Sequence, residues 1–145
     1  KNLGLAIKAY NEALRVRTFD AFPVQYATTQ NNLGNAYNDL AGVRDTEKNL
    51  GLAIKAYNEA LRVYTFDAFP VNYSGTKFNV GKLFLDKAKM YAEKGDATQV
   101  KDSLKLAEAA FEESLNVFRK ENMKDLAAMA EKNLADVRNL LSQIK

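Results

Sequence analysis

Any chemistry in this chain has to proceed without histidine, cysteine or tryptophan, none of which occurs among its 145 residues. The commonest general base is therefore missing, and so are thiolate nucleophiles, disulfides and thiolate metal ligands. A metal site would have to be built from oxygen alone. Among the carboxylates, Glu112 and Glu113 are neighbours on a helical stretch and point in different directions, so they read as solvated charge rather than an acid/base pair. Glu108 and Glu112, one turn apart, should repel mildly and face water. Ser74, Ser103, Ser114 and Ser142 stand in no nucleophile motif, and no glycine-rich phosphate loop occurs. No catalytic, cofactor-binding or metal-ligating residue is expected, and the chain reads as a non-enzyme.

Binding chemistry is better represented. The densest basic patch is Lys77, Lys82, Lys87 and Lys89, yet the net charge is only +3. Residues 1–47 carry 5 basic and 5 acidic side chains, residues 48–94 carry 8 and 4, and residues 95–145 carry 8 and 9. A nucleic-acid binder needs more charge and exposed aromatic interleaving, so the patch is read as a solvated face. No apolar run reaches the 18 or so residues a membrane span requires. A cytoplasmic protein without membrane or nucleic-acid partners is expected.

The elements that position these residues are set by a duplication. KNLGLAIKAYNEALRVRTFDAFPV at 1–24 returns as KNLGLAIKAYNEALRVYTFDAFPV at 48–71, an offset of 47 residues with Arg17 against Tyr64 as the single difference. A fixed period of this size marks a repeat architecture. Leu3, Ile7, Tyr10 and Leu14 form one amphipathic stripe, predicting a helix over 2–19. Pro23 starts a second helix to about Ala41, with Gly42 as its stop and Asp45 or Thr46 as the cap of the next. A third helix over 47–66 repeats the first, and Pro70 opens a fourth to about Glu93. Lys94-Gly95-Asp96 stops that helix and starts a fifth over 98–120, and a sixth covers 123–144. Gly34 and Gly81 lie inside helices, where each costs about 1 kcal/mol relative to Ala, so a neighbouring helix is expected to approach closely at both. The chain opens in mid-repeat without an initiating Met and is read as a fragment of a longer array, or as a processed chain.

Leu33-Gly34-x-x-Tyr37 followed by Ala53-x-x-x-Tyr57-x-x-Ala60-Leu61 resembles the tetratricopeptide repeat pattern. Val80-Gly81-x-x-Phe84 with Ala107-x-x-x-Phe111-x-x-Ser114-Leu115 is a second unit. Ala6-x-x-x-Tyr10-x-x-Ala13-Leu14 and Leu134-Ala135 supply half units at the two ends. The departures are a 47-residue period in place of 34, and Gln30, Lys77 and Glu131 where the family has Trp. The wording is closest to the extended arrays of bacterial and archaeal proteins. The resemblance implies an all-α, right-handed α-α superhelix of about six antiparallel helices, divided as a truncated B-type helix (1–20), a repeat (23–66), a second repeat (70–120) and a C-terminal capping helix (123–145). Tyr10, Tyr57, Tyr37 and Phe84 fall where such repeats place core rings.

The resemblance also implies a function: a non-catalytic protein–protein interaction scaffold that binds a peptide or helix along a concave groove lined by A-type helices. Carried over by motif position, the groove residues are Asn31, Asn35, Asn38 and Asp39, then Phe78, Lys82, Leu85 and Asp86, then Lys132, Asp136 and Asn139. An amide offers donor and acceptor together and can hold a peptide backbone, and Lys82 and Lys132 can hold a carboxylate. The rival reading is a structural spacer or self-association segment of a larger protein. Because the first helix is B-type without its A-type partner, it should leave an apolar face that packs on a second copy, giving a homodimer.

Overall fold

In a computed structural model of the chain, which describes residues 2–144, six helices follow one another and no strand is present among those residues. Lys1 and Lys145, the outer ends of the first and last predicted segments, lie outside the described residues. The helices are α1 (Leu3–Leu14), α2 (Pro23–Ala41), α3 (Thr46–Leu61), α4 (Pro70–Glu93), α5 (Ala97–Lys120) and α6 (Lys124–Ser142). They form two compact units, Lys1–Ala68 and Phe69–Lys145.

In the first unit α1 and α3 both pack on α2. Cross-helix pairs rise along α2 as they fall along α3, from Tyr26 with Glu59 to Asn35 with Tyr57, so the two helices are antiparallel. The core is made of small residues around large ones: Ala27, Leu33 and Ala36 from α2 meet Leu50, Ala53, Ala56, Tyr57 and Ala60 from α3. In the second unit α5 packs on both α4 and α6. Its core gathers Phe78, Leu104, Phe111, Leu115, Phe118, Ala130, Leu134 and Val137, with Phe78 set edge-on to Phe111 and Phe118. Arg119–Glu131 and Arg138–Glu108 pairs show α5 and α6 to be antiparallel as well.

The two helix-interior glycines are explained by rings rather than by backbones. A Cβ at Gly34 would lie 2.5 Å from Cε1 of Tyr57, and one at Gly81 would lie 2.7 Å from Cε1 of Phe111. Tyr57 thus lies flush against the glycine of α2, and Phe111 against the glycine of α4. Close packing of this kind tolerates no additional methyl group.

Helix ends differ from the periodicity in two places. α1 and α3 stop at Leu14 and Leu61, not near Phe19 and Phe66. The hydroxyls of Thr18 and Thr65 accept the backbone N–H of Ala21 and Ala68, so each threonine starts a turn of its own in the link that follows the helix. Asp45 does not cap α3 with its side chain. It takes a left-handed backbone (φ 46°) while Thr46 donates its hydroxyl to Ala41 O and Asn49 donates its amide to Arg44 O. The Lys94-Gly95-Asp96 junction is as expected: Gly95 is left-handed (φ 74°) and the Asp96 carboxylate accepts from Gln99 N at 3.1 Å. Asn122, also left-handed, closes α5 with a 6→1 bond, Met123 N to Phe118 O, as Asp96 N to Tyr91 O closes α4. None of the described helices is long and apolar enough to cross a membrane.

Candidate binding surfaces

The expected groove residues do not share one environment. On α2, Asn31, Asn35 and Asn38 are spaced along a single side of the helix and half-buried, and Asp39 is exposed. Asn35 is committed to the core: its Oδ1 accepts the Tyr57 hydroxyl at 2.6 Å, which fixes the ring against Gly34. The Oδ1 of Asn38 is shielded from water and accepts from no group among the described residues. Asn35 is therefore a positioning residue for a core ring of the α2–α3 contact.

On α4 the correction is larger. Phe78 is not a groove residue; it is 5% exposed and wedged between Phe111 and Phe118. The lysines around it are held over aromatic faces: Lys82 Nζ lies 5.2 Å from the Phe78 ring centroid, and Lys87 lies 5.9 Å from both Phe84 and Tyr91. Such placements anchor the ammonium beside apolar surface while it keeps its water. Leu85 is half-buried and Asp86 exposed, and on α6 Lys132, Asp136 and Asn139 are exposed. Tyr37, Phe84 and Tyr10, expected as core rings, are half-buried.

What the second unit does bring together is an apolar cleft of about 300 Å³. It is lined by Leu85, Ala88 and Lys89 of α4, Val100 and Leu104 of α5, and Leu140, Gln143 and Ile144 at the end of α6. Lys89 and Gln143 supply its polar lining groups. Of the groove residues expected from the sequence, only Leu85 lines it. Leu140 was the signal to read: it lies outside the Leu134–Val137–Leu141 stripe yet is apolar, and it is 38% exposed.

Elsewhere charges are paired more thoroughly than their spacing implies. Glu108 and Glu112 do not simply face water apart; Arg138 of α6 donates to both, at 3.0 and 2.6 Å. Glu113 accepts the Tyr73 hydroxyl at 2.6 Å and lies 3.8 Å from Lys77 Nζ. Burial, then the hydrogen bond to Glu113, pushes the Tyr73 hydroxyl up to about 12. In the first unit the Tyr26 hydroxyl donates to Glu59, which also accepts from Arg62 at 2.8 Å. The Arg62 guanidinium in turn stacks 3.8 Å over the Phe19 ring, and Phe19 meets Tyr26 edge-on. The hydrogen bond from Tyr26, then that from Arg62, holds the Glu59 carboxyl below its ordinary range. The aromatic link after α1 is thus pinned onto α2 and the end of α3. No group of three or more acidic side chains gathers as a metal-holding cluster among the described residues.

No family model, curated protein or solved structure matches this chain.

Proposed function

We propose that the chain is a non-catalytic, cytoplasmic binding scaffold of tetratricopeptide type, a segment of a right-handed α-α superhelix. In this reading the second unit takes an apolar side chain of a partner peptide or helix into the cleft between α4 and α6. The observation that supports it is the cleft itself: an open apolar depression of about 300 Å³ with Leu85 and Leu140 in its wall and Lys89 at its edge. Burying one leucine-sized side chain contributes about 1.5–3 kcal/mol. The cleft alone therefore gives weak selection, and backbone or charge contacts from Asp86, Lys89, Asn139 and Gln143 complete the affinity.

The experiment is selection of a random peptide library displayed on phage, using the full chain as bait. The reading expects an enriched motif with one large apolar residue. Its affinity should fall at least ~10-fold with Leu85→Asp, in keeping with loss of a buried apolar contact, while far-UV circular dichroism is unchanged. A library that yields no enriched motif, or one indifferent to Leu85→Asp, would favour the spacer reading instead.

A further inference from the structure

Where α1, α2 and α3 meet, the first unit holds a second cleft, of about 200 Å³. Each helix brings one leucine to it: Leu14, Leu33 and Leu52. Unlike the cleft of the second unit, it also takes a polar group or more from each helix, Asn11 of α1, Gln30 of α2, and Lys55 and Glu59 of α3.

The carboxylate of Glu59 is held in place from one side only. Gln30 is 8% exposed and hydrogen-bonds through its side chain to the Tyr26 hydroxyl. Tyr26 in turn donates to Glu59, and Arg62 donates to the same carboxylate at 2.8 Å. Both of those bonds end on Oε1; Oε2 takes none among the described residues. The two donors keep the carboxyl below its ordinary range, so it stays ionised at neutral pH. Its geometry is therefore set before anything binds, which lowers the cost of ordering a ligand against it. Lys55 lies one turn earlier on α3. It is exposed and makes no ion pair among the described residues. Lysine placed before glutamate at this spacing is the weaker order for a pair within a helix. The cleft thus presents an unused carboxylate oxygen and an unused ammonium one turn apart, beside three leucines.

That arrangement is complementary to a small zwitterion with an aliphatic tail. At about 200 Å³ the cleft is smaller than the roughly 300–1,000 Å³ pockets that take drug-sized ligands. We infer that it binds a free α-amino acid with a branched aliphatic side chain. The ligand's ammonium meets Glu59 Oε2, its carboxylate meets Lys55, and its side chain lies against Leu14, Leu33 and Leu52. The duplication supplies a control: Lys8 and Glu12 carry the same charges at the same spacing in α1, and both are exposed.

The test titrates L-leucine into the isotope-labelled full chain and follows the side-chain amide signals of Asn11 and Gln30 by NMR. Both should move and saturate together, with a Kd at or below about 1 mM. Isocaproate, which lacks the ammonium, should bind at least ~10-fold more weakly, as should alanine, which lacks most of the apolar contact. Leucinamide, which lacks the carboxylate, should bind about three-fold more weakly, in keeping with an exposed ion pair. Glu59→Gln should erase the preference for leucine over isocaproate, and Lys55→Met the preference for leucine over leucinamide, because each pair shares one interaction. The double change Lys8→Met, Glu12→Gln should leave all of these affinities as they are. Signals that do not saturate by ~10 mM leucine overturn the inference. So do isocaproate binding as well as leucine, both preferences surviving Glu59→Gln and Lys55→Met, or shifts confined to the second unit.

Discussion

Helices α1 and α3 have the same sequence and different lives. In α3 Leu50, Ala53, Tyr57 and Ala60 are each 1% exposed or less. In α1 the matching Leu3, Ala6, Tyr10 and Ala13 are only half-buried, and no residue of that helix is fully buried. Even the repeated asparagine changes role: Asn2 caps α1 by accepting Leu5 N at 3.0 Å, and Asn49, one turn inside α3, donates to Arg44 O. Propensity and amphipathic pattern are equal in the two copies. The difference is the presence of a covering helix, which is why a helix's stability belongs mainly to what it packs on.

The largest expected effect follows from the two tyrosines. Tyr57→Ala removes a fully buried ring from Gly34 and leaves the Asn35 amide without its hydroxyl donor. A loss of about 3–5 kcal/mol is expected. The same change at Tyr10 empties a half-buried site and should cost about 1 kcal/mol. Urea unfolding of both variants, followed by far-UV circular dichroism, measures the gap; equal losses would mean that α1 is covered as fully as α3.

Glycine sharpens the comparison at a smaller scale. Gly34→Ala sets a methyl group into the Tyr57 ring, and Gly81→Ala sets one into Phe111. Overpacking of about 1–3 kcal/mol exceeds the gain in helix propensity of about 1 kcal/mol, so both variants should be net destabilised. Gly51→Ala, on the exposed side of α3 with nothing within 4 Å of the new methyl, should instead stabilise by roughly 0.5–1 kcal/mol. Thermal unfolding of the three variants checks the sign at each position.

These glycine–aromatic pairs were the most legible part of the fold, because Leu-Gly-x-x-Tyr and Ala-x-x-x-Tyr name both halves of one contact. Pro23 and Pro70 marked the starts of α2 and α4 without error, since a proline nitrogen costs a first helical turn nothing. The ends of α1 and α3 were not legible in the same way. The apolar period runs on through Phe19 and Phe66, whereas the chain leaves the helix at Leu14 and Leu61 and threonine-headed turns follow. Site assignment failed where one helix buries two sides. Phe78 sits at a motif position that implies a groove, yet α5 covers it with Phe111 and Phe118. The cleft around Leu140 depends on how three helix ends converge, which no single helix's spacing records.

The smallest effect is electrostatic, and it again separates the copies. Glu12 and Glu59 each accept from the arginine three residues on, Arg15 at 3.3 Å and Arg62 at 2.8 Å. Only Glu59 also receives a tyrosine hydroxyl, from Tyr26. That hydrogen bond first, and Arg62 second, lowers the Glu59 carboxyl below its ordinary value of 4.5. A carboxyl with a folded pKa below its unfolded one contributes stability above the unfolded value and loses it as pH falls through the folded value. Unfolding midpoints taken from pH 6 downward should therefore drop across the acid range below about 4.5, less steeply in Glu59→Gln. The side chain is about a third exposed, so solvent screening keeps the contribution under about 1 kcal/mol. Tyr26→Phe should flatten this acid limb more than Arg62→Gln does, because the hydroxyl is the larger cause; the reverse order would place the guanidinium, and with it the stack on Phe19, at the centre of the pairing.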